Sequence, residues 1–149
     1  MLGGASVVDG SQPTSASPSA VVSMYQRALS ASGLTADVID LIKVQAAGSP
    51  GNDAIEAQGL REAFQIMPSL VSLKAAMGHT MGASGAAEIA LLTACLEQGV
   101  WPNYVDAVDA ALGVDLAARL PDSVHRVRHV MATILGFGGS HATVVLERA

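Results

Sequence analysis

Between Lys74 and Glu88 the chain reads K-A-A-M-G-H-T-M-G-A-S-G-A-A-E, and an apolar helical run follows it. Lys74 and His79 stand ahead of three small-residue steps, Gly82, Ser84 and Gly85. Such a stretch folds as a strand-to-helix junction, where backbone N–H groups are unpaired and a substrate carbonyl can be held. Glu88 falls in the first turns of the helix, spaced to face back toward Lys74. A glycine-rich turn before a helix is common, so by itself this corner is only a candidate catalytic site.

The rest of the chain alternates between the two periodicities. Ala5 to Val8 reads as a strand end, followed by a small, polar loop. Ser17-Pro18 is a helix start, with a hydroxyl cap and proline at the first helical position. Val21, Tyr25, Ala28 and Ala31 with Val22 and Leu29 form an apolar stripe at helical spacing, and Gly33 stops it. Val38 to Val44 is a β-branched strand with two polar interruptions. The loop Q-A-A-G-S-P-G leads to Asn52, where Asp53 and Glu56 make a capping-box pattern for a helix running to about Phe64. Leu70 to Leu73 is a short apolar approach to the central motif. The helix Ala86 to Gln98 is apolar nearly all round, which predicts burial, and Gly99 ends it. Residues 100 to 127 read as irregular. Val130 to Leu135 and Ala142 to Leu146 are strands joined by G-F-G-G-S-H. The expectation is an α/β fold: a mixed five-stranded sheet with buried and flanking helices and no internal repeat.

Composition narrows the function classes. A chain of 149 residues is one domain with one core. Half of it is apolar, only 14% is charged, and aromatics make up 3%, so the core is built from Ala, Val, Leu, Ile and Met. Surplus apolar surface in such a chain points to a partner. The net charge of −5 argues against nucleic acid, which needs a basic footprint. The apolar runs are too short to span a bilayer, and the start lacks the charged region of a signal peptide, so no membrane association is expected. The single cysteine, Cys95, excludes an internal disulfide, and a cytoplasmic setting is the default.

At this point the chain resembles the C-terminal half of a β-ketoacyl-acyl-carrier-protein synthase, a condensing enzyme of fatty-acid and polyketide synthesis on the thiolase fold. The family's K-x-x-x-G-H-x-x-G-A-S-G-x-x-E corresponds to Lys74, Gly78, His79, Gly82, Ala83, Ser84, Gly85 and Glu88. Its glycine loop corresponds to Gly136 to Gly139, and its N-D-x-x-E helix start to Asn52, Asp53 and Glu56. The three motifs occur in order, across essentially the whole of residues 1–149. The resemblance implies a thiolase-like domain whose N-terminal, cysteine-bearing half lies outside this chain. It also implies no cofactor or metal of its own, since substrates arrive on the phosphopantetheine of acyl carrier protein. The implied partners are that carrier protein and the N-terminal half or a ketosynthase subunit, in a dimer.

Two departures bear on the chemistry. The family's H-G-T-G-T loop puts its histidine at Gln45 and its first threonine at Ala47, leaving Ser49 as the surviving hydroxyl. The nucleophilic cysteine belongs to the missing half, and Cys95, expected inside a buried helix, does not replace it. In these enzymes an acyl group passes to a thiolate, malonyl thioester loses CO₂, and the enolate attacks the acyl carbon. Two imidazoles stabilise the developing oxyanion. By resemblance His79 is one of them, Lys74 supports the site with Glu88 as its pair, and Phe137 with Gly138 forms the gate beside the acyl chamber. Gln45, at the other imidazole position, donates a hydrogen bond but does not cycle a proton near neutral pH.

Plainer readings stand beside these. A lysine and a histidine so spaced are usually two solvated side chains, and G-F-G-G is usually a tight strand connection. Asn52, Asp53 and Glu56 are explained by capping. His125 and His129 lie among arginines without a cysteine or carboxylate companion, so no metal is expected there. His141 has an open role. Three readings compete: half of an active condensing enzyme, a non-catalytic partner like a chain-length factor, or a remnant without function. Lys74, His79 and Glu88 are expected to converge on one face of the domain, with Gln45 and Phe137 beside them, because ligand sites gather at strand ends.

Overall fold

A computed structural model describes residues 1–102, 112–114 and 124–148. Most of the stretch read as irregular, 100 to 127, therefore lies outside the described residues; within it, Val124–Arg126 form a single 3₁₀ turn. Five strands make one mixed sheet: β1 (Gly3–Val8), β2 (Leu41–Lys43), β3 (Ser69–Val71), β4 (His129–Leu135) and β5 (Ser140–Glu147). Their order is β1-β5-β4-β2-β3. β4, β2 and β3 are mutually parallel, whereas β5 runs antiparallel between β1 and β4. β1 thus points the same way as the parallel set, and four carboxyl ends share one sheet edge.

Helix α1 (Pro18–Ser32) starts and stops where the local signals put it. Ser17 Oγ accepts the N–H of Ala20, a cap typically worth about 1 kcal/mol. Gly33 adopts φ 69° and closes the last turn. Its stripe of Val21, Met24, Tyr25 and Ala28 packs on one sheet face with Leu60 of α2 (Pro50–Ala63) and with Phe64 just beyond it. Tyr25 and Phe64 meet edge to face at 5.2 Å.

The opposite face carries α4 (Ser84–Glu97), which begins two residues earlier than expected. Here the sequence expectation of burial all round is corrected. Only Ser84, Glu88 and Leu92 are buried, a stripe at i, i+4 and i+8, while Ala86, Ala90 and Leu91 are exposed. A single sheet covers one side of a helix, and nothing among the described residues covers the other. Cys95 is accordingly half-buried rather than enclosed. Close approach to the sheet requires glycine at position 85, where an added Cβ would lie 2.8 Å from Ile134.

The second strand is shorter than the apolar run implied. Val38 and Ile39 donate to the carbonyls of Thr35 and Ala36, so a 3₁₀ turn takes the first part of the segment. The helix after the next loop is capped at Ser49, not by an Asp53–Glu56 box. Those two carboxylates bond the loop before the helix instead, with consequences for the site.

Candidate active site

Because β2, β3 and β4 are parallel neighbours, the residues that follow them line one edge. Gln45 comes just past β2, Lys74 just past β3, and the 136–139 glycine loop just past β4. Lys74 opens the short helix α3 (Lys74–Met77) and is buried, as is Glu88 one turn into α4. Lys74 Nζ donates to Glu88 Oε1, and Ser84 Oγ donates to the same oxygen. The anticipated Lys74–Glu88 pair is therefore present.

A third member was not anticipated. Lys43 on β2 is fully buried, with Nζ 2.5 Å from Glu88 Oε2 and donating to the Thr133 carbonyl at 2.7 Å. Burial pulls the Lys43 ammonium below the ordinary lysine value, and its contact with Glu88 opposes that pull. Burial pushes the Glu88 carboxyl up, but the contact with Lys43 and the hydrogen bonds from Lys74 and Ser84 outweigh it and hold the group below the usual range. Strand alternation was the available signal, since Lys43 shares a face with buried Leu41.

The loop after β2 is held from beneath by carboxylates. Glu56 accepts the N–H of Gln45 at 2.7 Å and of Ala46 at 2.8 Å, and Asp53 accepts that of Ala47 at 3.1 Å. Ala46 sits at φ 33°, a left-handed conformation that side-chain-bearing residues rarely adopt. Burial raises the Glu56 carboxyl above its ordinary value, and its two N–H bonds pull the other way. Gln45 is buried, and its Oε1 has no hydrogen-bond partner among the described residues. Ser49 is the α2 cap by backbone conformation, with no side-chain cap bond.

His79 is exposed, and its Nδ1 accepts the N–H of Met81 at 3.0 Å. In the neutral ring this leaves the proton on Nε2. Phe137 is 68% exposed at the glycine loop. That loop is pinned to the chain after β1: Gly138 N–H donates to Pro13 O, and Asp9 N–H to Gly139 O, both at 2.8 Å. Among Lys74, His79, Glu88, Gln45 and Phe137, hydrogen bonds and ion pairs join only Lys74 to Glu88; Gln45 and Phe137 follow the neighbouring parallel strands β2 and β4. His141, at the start of β5, is buried with neither ring nitrogen partnered among the described residues. His129 Nδ1 lies 3.0 Å from the Val38 carbonyl, and His125 Nδ1 lies 2.9 Å from Arg148. No group of three or more His, Cys, Asp or Glu side chains is arranged to hold a metal among the described residues.

Fold and site define an α/β domain of the thiolase-like kind, with a buried lysine–glutamate centre at the carboxyl ends of parallel strands. The family described as β-ketoacyl synthase, C-terminal domain, matches residues 2–107. The 3-oxoacyl-[acyl-carrier-protein] synthase 2 of Vibrio cholerae is 28% identical over 131 residues, covering 83% of this chain and 31% of that protein. The spectinabilin polyketide synthase system protein NorA of Streptomyces orinoci is 31% identical over 141 residues, covering 85% of this chain and 7% of that protein. A solved ketosynthase in complex with its chain length factor, from Xenorhabdus doucetiae, shares the fold. Its TM-score is 0.86 at 24% identity, over 100% of this chain and 39% of that one. The chain belongs to the β-ketoacyl synthase family, as its C-terminal domain. It spans about a third or less of the length of the two curated relatives.

Proposed function

We propose that this chain supplies the C-terminal half of the active site of a β-ketoacyl-[acyl-carrier-protein] synthase. The reaction would be decarboxylative Claisen condensation of acyl and malonyl thioesters in fatty-acid or polyketide synthesis. The observation that carries the reading is the buried Lys74–Glu88 pair, with His79 five residues beyond it, at the strand edge that also presents Gln45. In this reading a thiolate from an N-terminal half takes the acyl group. His79 donates from Nε2 to the enolate oxygen formed as malonyl loses CO₂, and Lys74 supplies a fixed positive charge, oriented by Glu88. Phe137, Gly138 and Ser49 border the entry of the acyl or pantetheine arm. The substrates stay on the phosphopantetheine of acyl carrier protein, so the domain needs no cofactor or metal of its own. A dimer in the cytoplasm, with acyl carrier protein and a ketosynthase half as partners, completes the proposal.

One observation favours a second reading, a chain-length-factor-like partner without its own catalysis. Position 45 holds an amide, and the loop around it carries Ala46 and Ala47 where the family has glycine and a hydroxyl. One experiment separates the two. In the complete protein carrying the cysteine-bearing half, Gln45→His should raise malonyl decarboxylation, and His79→Ala should lower it. General acid–base groups contribute about 10²- to 10⁴-fold, so both changes are readily measured. A protein whose decarboxylation responds to neither substitution is not using this edge for catalysis, and the partner reading takes its place.

A further inference from the structure

Lys43 belongs to none of the motifs discussed above, yet it is as fully enclosed as Glu88, with 0% of its surface exposed. Its partners are specific. Nζ contacts Glu88 Oε2 at 2.5 Å and donates to the carbonyl of Thr133 at 2.7 Å. Glu88 uses its other oxygen, Oε1, for Lys74 and Ser84. The terminal torsion of a glutamate is broad, so a carboxylate held by one oxygen retains rotational freedom. A second cation on the opposite oxygen removes it.

The charge count points the same way. Lys43, Lys74 and Glu88 are all buried, so two ammonium groups share one carboxylate. The next buried carboxylate, Glu56, senses Lys43 only through space, its own oxygens being taken by Gln45 and Ala46 N–H groups. Lys43 and Lys74 thus share Glu88 as their contacting carboxylate, with Glu56 acting on Lys43 from farther away.

We infer that Lys43 is a positioning residue for this site. It fixes Glu88 through Oε2 so that Oε1 stays committed to Lys74. The link to a reaction rests on the condensing-enzyme reading above, whereas the positioning of Glu88 does not.

The test follows the Glu88 carboxyl in the full chain by carbon-13 NMR with labelled glutamate, its signal identified by loss in Glu88→Gln. In Lys43→Met it should titrate about one pH unit or more above wild type, because an opposite charge in contact is gone. Lys43→Gln, which keeps a polar group, should shift it in the same direction. An unmoved Glu88 titration in either folded variant overturns the inference. Should neither fold, Lys43→Met/Glu88→Gln decides: it should melt roughly 5 °C or more above Glu88→Gln alone, since it removes an unpaired buried cation. A double variant no more stable than Glu88→Gln overturns the inference. In the complete protein, Lys43→Met should lower kcat for decarboxylation about tenfold with KM little changed. A shifted Glu88 with unchanged kcat removes the role in the reaction. A wild-type protein without decarboxylation removes the condensing reading, and the NMR result still judges the positioning.

Discussion

Glu56 accepts the backbone N–H of Gln45 at 2.7 Å, so a buried carboxylate on α2 sets the backbone conformation of the loop after β2. Its second oxygen takes the N–H of Ala46, a residue at φ 33°. Two converging donors need two acceptors, and an amide offers one acceptor and one donor. Glu56→Gln should therefore set two N–H groups against each other and cost about 1–3 kcal/mol of stability. Urea unfolding with an unchanged slope would show it as a lowered midpoint. A midpoint equal to wild type would mean that the loop does not depend on Glu56.

The glycine loop separates two kinds of glycine requirement. At Gly139 an added Cβ would lie 1.6 Å from the Asp9 carbonyl oxygen, whereas at Gly138 it meets nothing within 4 Å. Both sit at positive φ, 72° and 70°. Gly138→Ala should cost only the left-handed penalty, about 1–2 kcal/mol. Gly139→Ala should cost clearly more, because the bond between Asp9 and Gly139 must also break. Thermal melting of the two variants is the comparison, and equal losses would argue that the loop yields freely at Asp9.

His141 makes stability pH-dependent in a defined window. Burial holds its folded-state value below the ordinary 6.5, with the charge of Asp9 opposing more weakly. As pH falls through 6.5 the unfolded chain takes up the proton first. The contribution is therefore intact above that pH and is lost as pH drops toward the folded-state value. His141→Asn should flatten this part of the profile. Urea midpoints at a series of pH values from neutral to mildly acidic would reveal it, and parallel profiles for the two proteins would remove His141 as the cause.

The open side of α4 bears on association. Ala86, Ala90 and Leu91 are exposed there, and Val100 beyond the helix is 49% exposed. If a partner covered ~800 Å² at ~25 cal/mol per Å², the attraction would be on the order of 20 kcal/mol before association costs. By itself the chain should form dimers or larger species at micromolar concentration, or bind a cysteine-bearing half. It should also show no condensing activity, since its single cysteine, Cys95, lies about 10 Å along α4 from Glu88. Light scattering that gives a stable 15.1 kDa species would end the association argument.

What the amino-acid sequence determined by itself was whatever depends on near neighbours. The Ser17 cap, the Gly33 stop and the β4–β5 hairpin follow from residues a few positions apart, whose conformational preferences act locally. The Lys74–Glu88 pair was legible too, because one junction and one helical turn bring its members together. Tertiary structure alone decided the rest. Asp53 and Glu56 matched a cap pattern, yet the fold turns them toward the loop after β2, since buried N–H groups there needed acceptors. The α4 helix read as enclosed because composition counts apolar residues without saying how many layers cover them. Lys43 reaches Glu88, 45 positions away in the sequence. That contact exists because β2 lies between β4 and β3 with α4 across its face, and the order of strands in a sheet is set by the packing of the whole chain.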